Sequence, residues 1–198
     1  MTIVAWWNEA LEALSGEPFF EALRVKTSGR GLLVCDNLFG TYVRAVCGQQ
    51  VNTAVAEKTA RAVIAFAREG GQPCERLADC GIDELRALGL STMKAQTLKA
   101  IACGYREGSL RSEALQALND TQVRERLTAL RGVGPWTADM VLIFGLNRPD
   151  VWAQKDFGLR KALQQAGLEH TDSARWAPWR TAATWLLWQS LGSVPVQY

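Results

Sequence analysis

Apolar residues recur at intervals of three and four along almost the whole chain, which is the spacing of one face of an α-helix. Because a half-buried strand would alternate apolar and polar residues, this spacing leaves little of the chain for a β-sheet. Glycine and proline interrupt the pattern repeatedly, so the sequence predicts an all-α fold of about nine or ten helices. Only residues 31–35 and the neighbourhood of Trp152 suggest extended backbone. Examples of the periodic positions are Trp7, Ala10, Leu11, Leu14, Leu38, Tyr42, Ala45 and Val46.

Polar residues that cap helices predict where several of these helices begin. Ser, Thr and Asn side chains accept a hydrogen bond from a backbone N–H of the first turn, and this favours a helix start. No internal repeat or long linker divides the chain, so we expect one domain over residues 1–198. The candidate caps are Ser91, Asn119 or Thr121, and Thr171 or Ser173.

The charge balance excludes a broad basic surface. The chain has 198 residues, 48% of them hydrophobic, so it is long enough to bury a sizeable core. Lys and Arg number 22 against 20 Asp and Glu, which gives a net charge of +2. Any contact with nucleic acid must therefore be local, because no strong basic field covers the molecule.

The five cysteines form no C-x-x-C pair, which argues against zinc, an iron–sulfur cluster or a disulfide framework and favours buried free thiols. The first residues lack a charged start followed by an apolar core, and no apolar run reaches the ~20 residues of a membrane span. We therefore expect a cytoplasmic protein without a membrane contact. The cysteines are Cys35, Cys47, Cys74, Cys80 and Cys103.

A tight turn with two glycines lies between two helical patterns, in the segment Leu130–Ala138 (Leu-Arg-Gly-Val-Gly-Pro-Trp-Thr-Ala). Gly132 and Gly134 permit backbone angles and close approaches that a Cβ would obstruct, and Pro135 suits a first helical turn. Unpaired amides at such a helix start can bind a phosphate oxygen, which would hold DNA without basic residues. From the turn alone, an ordinary corner between two helices is an equally good interpretation.

This segment resembles the hairpin of the helix-hairpin-helix DNA glycosylases, and further matches extend the resemblance. Residues 47–51 (Cys-Gly-Gln-Gln-Val) and 90–95 (Leu-Ser-Thr-Met-Lys-Ala) are similar to two segments of the branch that acts on alkylated bases. Asp156 follows the second glycine of the hairpin by 22 residues and opens a helical stretch, like the catalytic aspartate of this family. Residues 178–180 (Pro-Trp-Arg) resemble a C-terminal signature.

The resemblance covers about residues 39–191 and is nearest to the 3-methyladenine DNA glycosylase II family, without its N-terminal β-domain. It implies two helical lobes with a cleft between them, in one catalytic domain that acts as a monomer. One lobe would span about residues 40–135 and end in the hairpin. The other would combine the N-terminal helices with residues from about 150 to 198.

The resemblance also implies a chemistry. Asp156 would stabilise positive charge on the sugar and activate water, although Asp before an apolar helix is by itself more often an N-cap. Lyases of the family carry a lysine where this chain has Trp136, so we expect hydrolysis without strand cleavage. The amine of Lys155, beside the aspartate, is an alternative candidate for the role of that lysine, but we interpret it as a phosphate contact or a surface charge. The lone His170 is expected to be a surface residue.

The expected substrate is an alkylated base, such as 3-methyladenine or 7-methylguanine, flipped out of double-stranded DNA. Its positive charge suits an aromatic pocket, for which the resemblance selects Trp136, Met140 and Trp188. Gln50 or Val51 would fill the gap in the duplex, but Gln49 and Gln50 equally suit the cap of a helix end. The expected DNA contacts are Gly132, Val133, Gly134, Thr137, Gln50 and Val51.

No cofactor is expected to be required, and no catalytic metal. In relatives the hairpin carbonyls, here those of Thr128, Leu130 and Val133, can hold a structural monovalent or divalent cation. Three alternatives stay open: a glycosylase/lyase for oxidised or mismatched bases, a non-catalytic DNA-binding module in which Asp156 is only a cap, and a helical protein-interaction domain.

Overall fold

The computed structural model describes residues 2–69 and 71–192. Within them, regular structure consists of twelve α-helices, one π-helical segment and one 3₁₀ helix, together with one antiparallel bridge between Ile3 and Leu33. The prediction of an all-α fold is confirmed, but nine or ten helices were too few. Four of the α-helices have only five to seven residues, and so short a helix repeats its apolar spacing too rarely to be recognised.

The chain divides into two compact units. The first comprises Met1–Cys35 and Leu142–Gln197, of which residues 2–35 and 142–192 are described. Its helices are α1 (Trp7–Leu14), α2 (Pro18–Lys26), α11 (Phe157–Ala166) and α12 (Arg180–Ser190), with a 3₁₀ helix at His170–Trp176. The second unit includes Asp36–Val141. Its helices are α3 (Leu38–Cys47), α4 (Thr53–Arg68), α5 (Pro73–Asp79), α6 (Ile82–Ala87), α7 (Thr92–Arg106), α8 (Ser112–Gln116), α9 (Asp120–Thr128) and α10 (Pro135–Met140). A π-helical segment, Val141–Gly145, follows α10.

The core of the second unit forms around α3 and α7. Helix α3 packs on α4, α7 and α10, while α7 also packs on α5 and α6. The ring of Tyr42 on α3 is 1% exposed, and its hydroxyl donates to the Leu110 carbonyl at 3.2 Å, which satisfies its one buried polar atom. Other side chains that are fully buried here are Leu77, Leu85, Leu98, Ile101, Leu115 and Leu127.

Local capping explains where the helices of this unit begin. The Ser91 hydroxyl accepts a bond from the Lys94 amide, and the Asn119 side chain accepts one from the Gln122 amide. The Gln122 side chain in turn accepts the Asn119 amide, which completes a capping box. The predictions that Ser91 and Asn119 begin helices are therefore confirmed.

Tryptophan rings form much of the core of the first unit. Trp7 meets Trp185 edge to face with ring centroids 5.0 Å apart, and Trp6 stacks on Trp179 at 6.0 Å. Helix α12 packs on α1, α2 and α11, and residues 181–187 are buried throughout. The interpretation of Trp185 as core packing is thus confirmed, and so is that of Trp176, which is 2% exposed.

The predicted cap at Thr171 or Ser173 is wrong. The turn begins earlier, because the Asp172 carboxylate accepts the Glu169 amide at 2.7 Å. The helix that follows is a 3₁₀ helix rather than the start of a longer α-helix.

The expectation that His170 is a surface residue holds only in part, because the residue is half-buried. Its ring is edge-on to Trp152 with centroids 5.9 Å apart, and both ring nitrogens are buried without a hydrogen-bond partner among the described residues. Burial, and secondarily the charge of Arg160, lower the pKa of His170. The fold therefore favours the neutral imidazole.

Two of the five cysteines, Cys47 and Cys80, are buried, as expected, whereas the other three are half-buried. Burial raises the pKa of the Cys47 thiol to about 12, so this sulfur stays a protonated, apolar packing group at neutral pH. Across residues 2–69 and 71–192, no helix has the length and apolar character that crossing a membrane requires.

Candidate active site and DNA-binding hairpin

Gly132 is required by the conformation of the hairpin. Its φ is +86°, and a Cβ built there would clash with Oγ1 of Thr97 on α7. The Thr97 hydroxyl itself lies 3.1 Å from the Arg131 carbonyl oxygen, so α7 packs directly under the turn. The Val133 amide donates to the Leu130 carbonyl at 3.0 Å and closes the turn. A side chain at position 132 would thus meet both a strained backbone and a steric clash.

Gly134, unlike Gly132, has neither a strained backbone nor a neighbour that a Cβ would meet. Its φ of −98° and ψ of 175° suit any residue, and a Cβ there would meet no heavy atom within 4 Å. Helix α10 begins at the next residue, Pro135, and its first bond runs from the Ala138 amide to the Gly134 carbonyl. The fold therefore needs no glycine at 134, and the small residue leaves space open to a group outside the chain.

Gln49 binds the hairpin from the loop between α3 and α4. Its Nε2 donates to the Gly132 carbonyl and to Thr137 Oγ1, both at 2.9 Å. The interpretation of Gln49 as a helix-end cap is therefore wrong, because its side chain is used on the hairpin and Gly48 is the C-cap of α3. Thr137 is 2% exposed, so its hydroxyl stabilises the hairpin. The sequence reasoning missed this role of Gln49.

Two of the predicted DNA contacts lie largely inside the protein. Val133 is 7% exposed and its amide is used within the turn, while the Thr137 hydroxyl is bonded to Gln49. Contacts of these two residues with DNA stay predictions. Gln50 and Val51 are exposed instead: Gln50 has a φ of +54° and Val51 is 42% exposed.

Lys94 lies under the same loop and was not singled out as a site residue. Its Nζ donates to the carbonyls of Cys47 and Gln49 at 2.9 and 2.8 Å. Burial lowers the pKa of the Lys94 ammonium, an effect that the nearby Cys47 partly opposes. Lys94 could have been singled out from the sequence, because it lies in segment 90–95, which is similar to a segment of the family. The carbonyls that it binds could not, because they lie more than 40 residues away in the chain.

Asp156 is the N-cap of α11, in the first unit. Its Oδ1 accepts a bond from the Leu159 amide at 2.6 Å, three residues along the chain. The same oxygen accepts a second bond, at 2.9 Å, from Nε1 of Trp188 on α12. The capping interpretation is therefore confirmed, and the carboxylate is oriented by one local and one distant donor.

Trp188 and Gly158 complete the surroundings of this carboxylate. The Trp188 ring stacks on Phe144 with centroids 5.7 Å apart and planes at 11°. A Cβ at Gly158 would lie 3.1 Å from Asp156 Oδ1 and 3.4 Å from Trp188 Cδ1, so only glycine leaves the two groups their full space. The sequence predicted Trp188 as a pocket residue but predicted neither its bond to Asp156 nor a role for Gly158.

Arg180, the last residue of the Pro-Trp-Arg signature, and the next residue, Thr181, anchor the chain that leads to Asp156. Arg180 donates twice to Asp150, at 2.6 and 2.8 Å, in a two-pronged ion pair. The Thr181 hydroxyl donates to the Arg148 carbonyl at 2.6 Å and accepts the Val151 amide at 2.9 Å. The segment before the carboxylate is therefore bound to the start of α12, the helix that also bears Trp188.

The remaining predicted site residues differ in exposure. Trp136 is half-buried and lies one helical turn before Met140, which is 1% exposed. Lys155, beside the carboxylate, is exposed. Within the first unit the structure brings Asp156 and Trp188 together, and within the second it brings Gln49 and Thr137 together.

The comparisons with known proteins agree with this geometry. The family model of the HhH-GPD superfamily base excision DNA repair proteins matches residues 43–177. DNA-3-methyladenine glycosylase 1 of Schizosaccharomyces pombe is 32% identical over 161 residues, covering 75% of this chain and 70% of that protein. A protein of Mycobacterium tuberculosis called a probable bifunctional transcriptional activator/DNA repair enzyme AlkA is 34% identical over 196 residues, 91% of this chain but 39% of its own length.

A solved structure gives the same result at the level of the fold. The Schizosaccharomyces pombe 3-methyladenine DNA glycosylase, in complex with abasic DNA, superposes with a TM-score of 0.82 at 29% identity. The match covers 96% of this chain and 100% of that one. The family match extends over both the hairpin and Asp156. The chain belongs to the HhH-GPD superfamily of base excision DNA repair proteins.

Proposed function

We propose that this chain is a monofunctional DNA glycosylase that hydrolyses the N-glycosidic bond of alkylated bases, such as 3-methyladenine and 7-methylguanine, in double-stranded DNA. The observation that carries the proposal is the Asp156 carboxylate, held by the Leu159 amide and the Trp188 indole in a chain of this superfamily. The relatives named 3-methyladenine DNA glycosylases support alkylated bases as the substrate class.

The chemistry needs a fixed negative charge beside the sugar. As the bond from the anomeric carbon to the base nitrogen breaks, its electron pair leaves with the base and positive charge develops on the sugar. The Asp156 carboxylate stabilises this charge and accepts a proton from the water whose oxygen bonds to the anomeric carbon. The two N–H donors on Oδ1 hold the carboxylate in one orientation, so it does not have to reorganise during the reaction.

Water rather than an amine is the proposed nucleophile. The resemblance to the family aligns Trp136 with the lysine that attacks the sugar in the lyases, and an indole cannot form a Schiff base. Lys155 is exposed immediately before Asp156 and serves in this proposal as a contact to phosphate.

Aromatic rings account for the choice of an alkylated base. Alkylation at a ring nitrogen gives the base a positive charge, which makes it a better leaving group and attracts it to an indole face. Such a cation–π contact is worth up to ~2 kcal/mol when water is excluded. Trp136 and Trp188, both half-buried, are the proposed faces, and Met140, on the helix of Trp136, is the third proposed pocket residue.

The hairpin is the proposed binding site for the DNA backbone. Amides at the start of α10 bind a phosphate oxygen, and the open space at Gly134 lets the phosphate approach closely. Gln50 or Val51 enters the gap that the flipped nucleotide leaves, because both side chains are exposed and their loop is bound to the hairpin through Gln49.

The carbonyls of Thr128, Leu130 and Val133 are the proposed ligands of a structural cation, because carbonyl oxygens suit a hard monovalent or divalent ion. The Leu130 carbonyl accepts the Val133 amide and keeps a second lone pair for such an ion. The ion would supply positive charge to a phosphate and take no part in bond cleavage.

Base release from methylated DNA tests the proposal. The wild-type protein should liberate 3-methyladenine or 7-methylguanine from alkylated duplex DNA, detected by chromatography. Asp156→Asn keeps a capping oxygen for α11 but removes the charge, so we expect release to fall by at least about 10²-fold. Asp83→Asn removes the same charge from a side chain that is 93% exposed and should leave the rate unchanged. If the wild-type protein released no alkylated base, the proposal would be wrong, and a DNA-binding module without catalysis would be the remaining interpretation.

Borohydride trapping separates hydrolysis from lyase chemistry. A Schiff base between an amine and the sugar is reduced to a stable covalent adduct, whereas a water-using enzyme yields none. We expect no adduct with the wild-type protein. Lys155→Ala should still release base at saturating enzyme, because the variant loses only a phosphate contact. An adduct that disappears in Lys155→Ala would overturn the monofunctional assignment.

A further inference from the structure

The loop between α3 and α4 is an unusual support for a side chain that must enter a duplex. It contains a φ of +54° at Gln50, a conformation that residues other than glycine seldom adopt. Gln50 and Val51 are both exposed, and the next helix begins at once behind the Asn52 cap. Other groups must therefore hold this short segment in place.

Lys94 supplies that support. Its ammonium donates to two carbonyls at the C-terminal end of α3, those of Cys47 and Gln49, which flank the C-cap Gly48. Carbonyls at a helix C-terminus lack partners within the helix and carry the negative end of its dipole, so a cation is the natural ligand. The half-buried position strengthens both bonds, because water competes little for them.

The backbone carbonyl and the side-chain amide of Gln49 connect Lys94 to the hairpin. The Gln49 carbonyl accepts from Lys94, and the Gln49 side chain donates to the Gly132 carbonyl and to Thr137 Oγ1. Gln50 follows directly in the chain. A displacement of the Gln49 backbone would therefore move both the exposed pair and the bond to the hairpin.

We propose that Lys94 is a positioning residue for base flipping: it fixes the backbone from which Gln50 and Val51 enter the duplex, and does so without touching the damaged base. The inference rests on the proposed glycosylase function. It predicts a defect that depends on the DNA, because only a base paired within a duplex needs the gap to be filled.

Lys99 offers a matched control on the same helix. It is also half-buried, and its Nζ donates to the carbonyls of Ala78 and Cys80 at the end of α5. Replacing either lysine by methionine removes two hydrogen bonds from an ammonium to backbone carbonyls and keeps the aliphatic stem. Loss of stability alone would affect the two variants alike, whereas loss of positioning would affect only Lys94→Met.

The experiment compares two DNA substrates that carry one 7-methylguanine. In one the lesion is paired within a duplex, and in the other it lies in a single-nucleotide bulge that is already partly extrahelical. Single-turnover release should fall at least tenfold for Lys94→Met on the paired lesion and less than threefold on the bulge. Lys99→Met should keep the wild-type ratio, and Lys94→Arg, which retains a long cationic donor, should restore most of it.

Fluorescence of a 2-aminopurine placed beside the paired lesion measures flipping directly. This measurement tests the positioning role of Lys94 even if the wild-type enzyme does not act on the bulge. The rise in fluorescence on binding should be lost in Lys94→Met and kept in Lys99→Met. Equal defects on both substrates, or an unchanged fluorescence rise, would overturn the positioning role. A wild-type protein inactive on both substrates would instead refute the proposed function itself.

Discussion

The hairpin and the surroundings of Asp156 are built in different ways. The hairpin is held by side chains from distant parts of the sequence: Gln49 and Gly132 are 83 residues apart, and Thr97 and Arg131 are 34 apart. The carboxylate has one partner three residues away, Leu159, and a second one 32 residues away. The hairpin therefore depends on the packing of its whole unit, whereas Asp156 keeps a local bond as long as α11 forms.

The two glycines of the hairpin should give the largest contrast. Gly132→Ala places a Cβ at a positive φ and against Thr97 Oγ1, so we expect the free energy of unfolding to fall by about 3 kcal/mol. Gly134→Ala meets neither obstacle and should stay within ~0.5 kcal/mol of the wild type. Urea denaturation measures both values.

The effect of Gly134→Ala on DNA binding should be larger than its effect on stability. Gly134→Ala, although stable, should weaken binding to duplex DNA about tenfold, because its methyl group occupies the space proposed for a phosphate. Equilibrium binding to a labelled duplex at fixed salt provides the measurement. A Gly134→Ala variant with wild-type affinity would show that this space is not used by DNA.

The next effect concerns the distant donor to Asp156. Trp188→Phe removes the indole N–H but retains a ring that can stack on Phe144, so kcat for base release should fall about tenfold, or ~1.4 kcal/mol. Trp179→Phe changes another half-buried tryptophan of the same unit, one stacked on Trp6, and should leave kcat within about twofold. Similar losses of kcat in both variants would contradict a specific role for the indole donor.

A smaller effect is expected from Gly158→Ala. The added Cβ would lie 3.1 Å from Asp156 Oδ1 and displace the carboxylate or Trp188 by a few tenths of an ångström. We expect kcat to fall about threefold, with a melting temperature close to that of the wild type. A rate equal to that of the wild type would show that the site tolerates such a displacement.

The smallest effect is a pH dependence of stability contributed by His170, the only histidine of the chain, which lies in the unit that holds Asp156. The fold lowers its pKa below the unfolded value of 6.5, so the unfolded chain binds more protons under acidic conditions. Stability should therefore decrease as the pH falls below about 6.5, until the pH lies below the folded-state pKa as well.

Thermal melting between pH 7.5 and 5.5 tests this dependence. The decrease in melting temperature over that range should be smaller in His170→Phe, which keeps a ring against Trp152 but cannot bind a proton. An equal decrease in the two proteins would assign the pH dependence to other groups.

Much of the fold was predictable because it follows from local rules. Ser91 and Asn119 begin helices as predicted, since a cap and the amide that it binds are three residues apart in any helix. The prediction at Thr171 failed for a related reason. Several polar residues compete there, and the sequence does not show that Asp172 begins the turn at Glu169.

The sequence by itself determined the helical class, the turn at Gly132 and the cap at Asp156, because these depend on backbone angles and on partners within four residues. Only the tertiary structure decided which groups meet across long intervals: Trp188 with Asp156, and Lys94 with the carbonyls of Cys47 and Gln49. The physical reason is that a distant hydrogen bond forms only when packing brings its two atoms within about 3 Å, and no local pattern encodes that distance.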